Sequence, residues 1–171
     1  ENLIKHSLKK HSKFKINLVV TNKTKAKGLN YANKYKINKK IVNYSNIRSA
    51  EKNILIELKK RDINLICLAG FMKVLTKNFI RNFKGKILNI HPSLLPKYKG
   101  INTHQRAIDN KEKFSGCTVH FVNSKLDSGK IILQKKVKIS KNDNSKKLEK
   151  RILKQEHILY PKAIKKVLIN L

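Results

Sequence analysis

The stretch Leu88-Asn89-Ile90-His91-Pro92-Ser93-Leu94-Leu95-Pro96 delivers an amide and an imidazole at the end of an apolar run. Ile87-Leu88-Asn89-Ile90 predicts a buried strand, and because strand side chains alternate faces, Asn89 and His91 point the same way. Pro92 has no amide hydrogen and holds His91 extended, so regular pairing stops there. A hydrogen-bond donor and a titratable group therefore stand at the carboxyl end of a strand, where open α/β sheets bind their ligands. The local sequence is equally compatible with two residues that merely cap a strand. The rest of the chain has to decide.

The 171 residues predict one domain, long enough to bury roughly 70% of the surface of the unfolded chain. With 40% apolar residues, six Gly and three Pro, the composition is that of a folded globular domain. No run approaches the ~18 apolar residues needed to span a bilayer, and no signal peptide is visible. The chain opens on Glu1 rather than an initiator Met, so a clipped N-terminus is expected. Cys67 and Cys117 both lie in apolar or strand-like runs, which fits a reduced, cytoplasmic setting without a disulfide framework.

The net charge is +31, from 41 Lys and Arg against 10 Asp and Glu. Dense basic charge is the footprint of nucleic-acid binding. Here, however, the lysines are scattered over the whole sequence among Ile and Asn, without a stripe or interleaved aromatics, as an AT-biased composition would produce. No nucleic-acid partner is expected; a basic surface still favours anionic small molecules.

Along the chain, Leu3, Ile4 and Leu8 predict a helix over residues 2–12, and the β-branched run 16–20 predicts a strand ending at Thr21-Asn22. A helix over 25–35 and a strand over 40–44 follow. Ser45 or Asn46 opens a helix with the apolar stripe Ile54, Leu55 and Leu58. The continuous run 65–69 suits a strand covered on both faces, with a turn at Gly70-Phe71-Met72 and a helix over 75–83. Beyond the opening stretch come a loop at Tyr98-Lys99-Gly100, a helix over 103–110, and strands over 117–122 and 131–139 joined by a polar turn over 123–129. Helical spacing runs from 145 to 171, where Pro161 should kink or break the helix. Strands alternating with helices imply an α/β fold with a mostly parallel twisted sheet and helices on both faces.

No P-loop, dinucleotide fingerprint, nucleophile elbow or metal-spaced Cys/His cluster is present, and neither cysteine has a neighbouring activator. Asn89, His91 and the carboxylate in Asn123-Ser124-Lys125-Leu126-Asp127-Ser128-Gly129 remain. Taken by itself Asp127 is explained by turn chemistry.

The strings LNIHPSLLPKYKG (88–100), GCTVHFVNSKLDSGKIILQKKV (116–137) and QEHILYP (155–161), with LAGFM (68–72) upstream, closely resemble the glycinamide ribonucleotide (phosphoribosylglycinamide) formyltransferases of purine biosynthesis. The resemblance runs in unbroken order from Asn2 to Leu171. It implies a single Rossmann-like formyltransferase domain over 1–171 with its first strand, and the Gly-Ser-Asn phosphate loop after it, lying before Glu1. It implies transfer of the formyl group of 10-formyltetrahydrofolate to the amine of glycinamide ribonucleotide, with no metal.

Carried over by position, the resemblance makes Asn89, His91 and Asp127 the catalytic trio. Met72, Lys73, Val74 and Leu75 match the segment lining the folate pocket, Asn123, Ser124, Lys125, Leu126 and Asp127 the loop that closes over the pterin, and Asn89 is shared. Arg48 matches, across a one-residue gap, an arginine near the folate. Gln155 and Glu156 match the segment that meets the ribonucleotide.

Methionyl-tRNA formyltransferases share the catalytic domain, but continue after SLLP with an Arg- and Ala-rich loop where this chain has KYKGINTHQRAI. Formyltetrahydrofolate deformylases carry HHSFLP in place of HPSLLP. A basic nucleic-acid-binding module on a Rossmann-like scaffold is the alternative from another class. The sequence leaves a monomer and a homodimer equally open.

Overall fold

The computed structural model describes residues 1–169. The chain divides into two compact units, Glu1–Leu65 with Asn78–Gly85, and Ile66–Lys77 with the chain from Lys86 onward. None of the described helices is long and apolar enough to cross a membrane.

The first unit holds α1 (Asn2–Ser7), β1 (Leu18–Thr21), α2 (Lys27–Lys34), β2 (Asn38–Ile41), α3 (Ile47–Lys60) and nearly all of α4 (Lys77–Asn82). β1 and β2 pair in parallel, Leu18 opposite Asn38 through Thr21 opposite Ile41, and α2 is their crossover. α3 begins where Asn46 Oδ1 accepts the amide of Ser49 at 3.0 Å, and it buries Ala50, Ile54 and Leu58 at helical spacing. α1 stops at Ser7 instead of continuing to 12. Ile4 is its one buried side chain and Leu8 is 62% exposed, so the cationic segment that follows has no apolar anchor. β2 lies a few residues ahead of the expected 40–44, because its bounds are set by pairing with β1, which local propensity does not report.

The second unit holds nearly all of β3 (Leu65–Leu68), which with β4 (Lys86–His91), β5 (Phe114–Phe121) and β6 (Ile131–Lys138) forms a sheet in that order. The expected α/β open sheet holds, and it is mixed: β4 and β5 are antiparallel, as are β5 and β6. α5 (Thr103–Asp109) lies between β4 and β5 without making them parallel, since the chain has already turned back in residues 92–102. That reversal is held from β5 and β6. Thr118 Oγ1 donates to the carbonyl of Ser93 (2.7 Å) and accepts the amide of Leu95 (3.1 Å), while Gln134 Nε2 donates to Leu95 O (2.8 Å) and to Thr118 Oγ1 (2.9 Å). Both hydroxyl lone pairs and its proton are used, as a fully buried Thr requires.

α6 (Ser145–Ile169) packs on β5, β6 and α5, burying Leu148, Ile152, Leu159, Ala163, Ile164 and Val167. It runs unbroken through Pro161, against the expected interruption. Pro161 is buried, and the neighbouring Tyr160 hydroxyl lies 2.9 Å from Leu68 O and 3.1 Å from Leu88 O. Packing on the sheet offsets the one backbone hydrogen bond that proline omits. The last two residues of the expected helix, 170 and 171, lie outside the described residues.

Candidate active site

Asn89 and His91 leave β4 on one side, as the alternation of strand side chains requires, and both meet Asp127. His91 Nδ1 lies 3.3 Å from Asp127 Oδ2, and Asn89 Nδ2 lies 3.5 Å from Asp127 Oδ1, the long limit of a hydrogen bond. Both side chains of the His91–Asp127 pair are more than nine-tenths buried. The other ring nitrogen of His91, Nε2, is 2.8 Å from the carbonyl oxygen of Tyr98. A carbonyl only accepts, so Nε2 carries a hydrogen, and Nδ1 is the nitrogen that can exchange a proton beside Asp127.

Asp127 stands at the end of a loop that bonds to itself. Asn123 Oδ1 accepts the amide of Lys125 at 2.9 Å, and Ser128 Oγ lies 3.1 Å from Asn123 Oδ1 and 3.0 Å from Lys125 O. Asp127 itself has φ +43°, a left-handed conformation that Asp tolerates better than most residues. Gly129 must be glycine: a Cβ there would sit 1.7 Å from the carbonyl oxygen of Phe121. The second carboxylate oxygen of Asp127 also accepts the amide of Gly100 at 2.9 Å.

A fourth group, His120, escaped the sequence reading. It faces Asn89 across the β4–β5 ladder, with Asn89 Nδ2 3.3 Å from His120 Nε2. His120 Nδ1 is 2.8 Å from the carbonyl of Phe121, so Nδ1 holds the hydrogen and Nε2 accepts from Asn89. Burial holds the His120 imidazole below its ordinary value, while the Phe121 carbonyl and Asp127, whose Oδ1 is 3.7 Å away, pull the other way. Its neutral, accepting form fixes the amide of Asn89 with nitrogen inward. Strand register could have revealed His120, but register is not legible in one sequence.

The remaining expected residues divide. In the second unit Met72 is 79% and Val74 57% exposed, Lys73 is exposed, and Leu75 is buried. Asn123, Ser124, Lys125 and Leu126 form the exposed part of the loop before Asp127. Gln155 and Glu156 lie half-buried on α6; burial, with Glu149 adding repulsion, pushes the Glu156 carboxyl up to about 6. Arg48 is exposed in the first turn of α3, in the first unit. Both thiols are free, and burial pushes Cys67 and Cys117 each up to about 12, so neither is poised as a nucleophile.

With two amide hydrogens, a His–Asp pair and a neutral His around one strand end, the site can polarise a carbonyl and pass a proton. Residues 1–164 match the family described as "Formyl transferase". The chain is 46% identical over 154 residues to the phosphoribosylglycinamide formyltransferase of Haemophilus influenzae, an alignment that covers 88% of this chain and 73% of that one. It is 44% identical over 152 residues to the trifunctional purine biosynthetic protein adenosine-3 of Chironomus tentans, covering 87% of this chain but only 11% of that much longer protein. The crystal structure of the phosphoribosylglycinamide formyltransferase of Anaplasma phagocytophilum superposes with a TM-score of 0.92 at 37% identity, over 99% of this chain and 80% of that one.

Proposed function

The chain belongs to the formyl transferase family, and on that footing we propose that it moves the formyl group of 10-formyltetrahydrofolate onto the amine of N1-(5-phosphoribosyl)glycinamide in purine biosynthesis. The continuous family match across both compact units supports reading them as one formyltransferase domain. We place the reaction in the cytoplasm.

The observation that carries the reading is the convergence of Asn89 Nδ2 and the buried His91–Asp127 pair at the end of β4. The amine attacks the formyl carbon: a C–N bond forms and the carbonyl electrons move onto oxygen. Asn89 gives one Nδ2 hydrogen to His120, and its second, held only by the long 3.5 Å contact to Asp127 Oδ1, turns to that oxyanion, a contribution typically worth ~10²–10³ in rate. The bond from carbon to the folate nitrogen then breaks, and that nitrogen takes up a proton as the amine loses one. His91 Nδ1 and Asp127 carry this proton, with general acid–base help of roughly 10²–10⁴. Tyr98 O holds the ring so that Nδ1 stays on the working side. No covalent intermediate is needed when both substrates lie in one crevice.

Met72 and Val74, with Lys73 between them and Leu75 anchoring the segment in the core, take the folate side together with the loop of Asn123, Ser124, Lys125 and Leu126. Exposed Met72, Val74 and Leu126 suit an aromatic heterocycle, since large apolar side chains left exposed are surfaces that a ligand can cover. Gln155 and Glu156 take the ribonucleotide side.

The test is a formyl-transfer assay on the full-length protein, with glycinamide ribonucleotide and initiator methionyl-tRNA as competing acceptors. Transfer to the ribonucleotide is expected. Transfer to the tRNA alone, or hydrolysis of the formyl-folate without an acceptor, overturns the reading.

A further inference from the structure

We propose that Arg106, an exposed residue of α5, is a positioning residue for formyl transfer, gripping the 98–101 backbone that in turn holds His91 and Asp127. The proposal rests on the transfer reading above for its kinetics, though not for its geometry.

Arg106 Nη1 donates to the carbonyl of Lys99 at 2.7 Å and lies 3.3 Å from that of Ile101, and its guanidinium carbon sits 5.2 Å from the centre of the Tyr98 ring. The groups that touch the proposed catalytic residues alternate with these: Tyr98 O meets His91 Nε2 at 2.8 Å, and Gly100 N–H meets Asp127 Oδ2 at 2.9 Å. The carbonyl of Lys99 and the amide of Gly100 belong to one planar trans peptide, in which C=O and N–H point in opposite directions. Arg106 and Asp127 therefore grip the same peptide plane from its two ends. Rotating that plane breaks both contacts together and tilts the adjoining Tyr98 carbonyl off His91.

The backbone cannot hold this arrangement by its own preference. Tyr98, Gly100 and Asn102 have φ of +56°, +78° and +57°; Asn tolerates the left-handed region better than most residues, but Tyr98 carries a bulky side chain that disfavours it. Such a segment persists only where its surroundings over-determine it. Glu112 secures the near end, accepting the Tyr98 hydroxyl at 2.9 Å and Lys97 Nζ at 2.7 Å; Arg106 secures the far end. A planar guanidinium can serve two carbonyls and lie on an aromatic face at once, which an ammonium cannot.

The experiment compares wild type, Arg106→Ala, Arg106→Lys and the control Gln105→Ala in the full-length protein. Among the described residues, the Gln105 side chain bonds along its own helix, to Asp109 at 2.7 Å. Arg106→Ala is expected to lower kcat about tenfold per folded molecule with KM for the ribonucleotide within about twofold, Arg106→Lys to recover part of the loss, and Gln105→Ala to leave kcat unchanged. In nitrogen-15 NMR of the unliganded protein, the His91 Nε2–H resonance should be present in wild type and lost to exchange in Arg106→Ala. An unchanged His91 resonance, or kcat within about twofold of wild type in both Arg106 variants, overturns the proposal. If wild type fails to formylate the ribonucleotide while the His91 resonance still responds to Arg106, the clamp is supported and the substrate reading is what falls.

Discussion

The loops over 92–102 and 123–129 both deliver groups to the carboxyl end of β4, and they are held in opposite ways. The second ties itself, through Asn123, Lys125 and Ser128, in bonds that span at most five residues. The first, beyond a local bond from Ser93 Oγ to the Lys97 carbonyl (2.7 Å), borrows its order from elsewhere: Thr118 on β5, Gln134 on β6, Arg106 on α5 and Glu112 just beyond it. A self-tied loop needs only the right residues in the right order, and its exposed bonds each contribute little. A borrowed loop is as rigid as the core it leans on, and it is coupled to that core. The site thus combines a carboxylate on a local turn with an imidazole whose orientation is set at long range.

Five substitutions break or sharpen this contrast. Gly129→Ala should have the largest effect. Its methyl group would meet the Phe121 carbonyl at 1.7 Å, so the hinge between β5 and the self-tied loop must move, at a cost of about 3 kcal/mol or more by urea denaturation. An unchanged midpoint would mean that the loop adapts freely and that its geometry is not fixed by the hinge.

Asp127→Asn keeps the turn chemistry but removes the charge beside His91. It should cost about a hundredfold in kcat, as should His91→Ala, while the melting temperature moves little by comparison. Near-wild-type turnover in either variant would refute the assigned role.

Thr118→Val strikes the borrowed loop instead. Leu95 N and Gln134 Nε2 lose a buried acceptor, and the expected loss is about 2 kcal/mol in stability. kcat should fall with it, because the same segment leads into Tyr98. If stability drops and kcat per folded molecule does not, the two halves of the borrowed loop are uncoupled.

Glu156→Gln lies outside both loops and serves as the reference. The Glu156 carboxyl is raised from 4.5 to about 6 in the folded chain, so the folded state holds its proton more tightly than the unfolded state does. As pH rises from 4.5 to 6 the wild type therefore loses stability relative to the Gln variant. Above about pH 6 the variant should be the more stable by about 1–2 kcal/mol, and below 4.5 the two should converge. A pH-independent difference would mean that burial and Glu149 do not act on this carboxyl.

The regions legible in the sequence were those whose cause is local. The run into Asn89-Ile90-His91-Pro92 specified a strand, its termination and a shared face for two side chains, all from alternation and the missing amide of proline. Asn46 capped α3 as its side chain allows, and the apolar stripe of Ile54 and Leu58 turned inward. Where the sequence reading and the structure part, the cause is non-local. Pro161 stays helical because Tyr160 and its neighbours are buried on the sheet, and α1 ends early because nothing anchors Leu8.

By itself, then, the sequence determined that an amide and an imidazole would stand together at a strand end, with a carboxylate on a turn cut for it. Strand period, proline and Asx-turn chemistry act over a few residues and need no partner. Only the tertiary structure decided that Asp127 reaches both of them, that His120 stands opposite Asn89, and that Tyr98 and Gly100 offer their backbone to His91 and Asp127. Those facts depend on strand register and on a chain reversal pinned by Thr118, Gln134 and Arg106, and neither is encoded within the reach of a local rule.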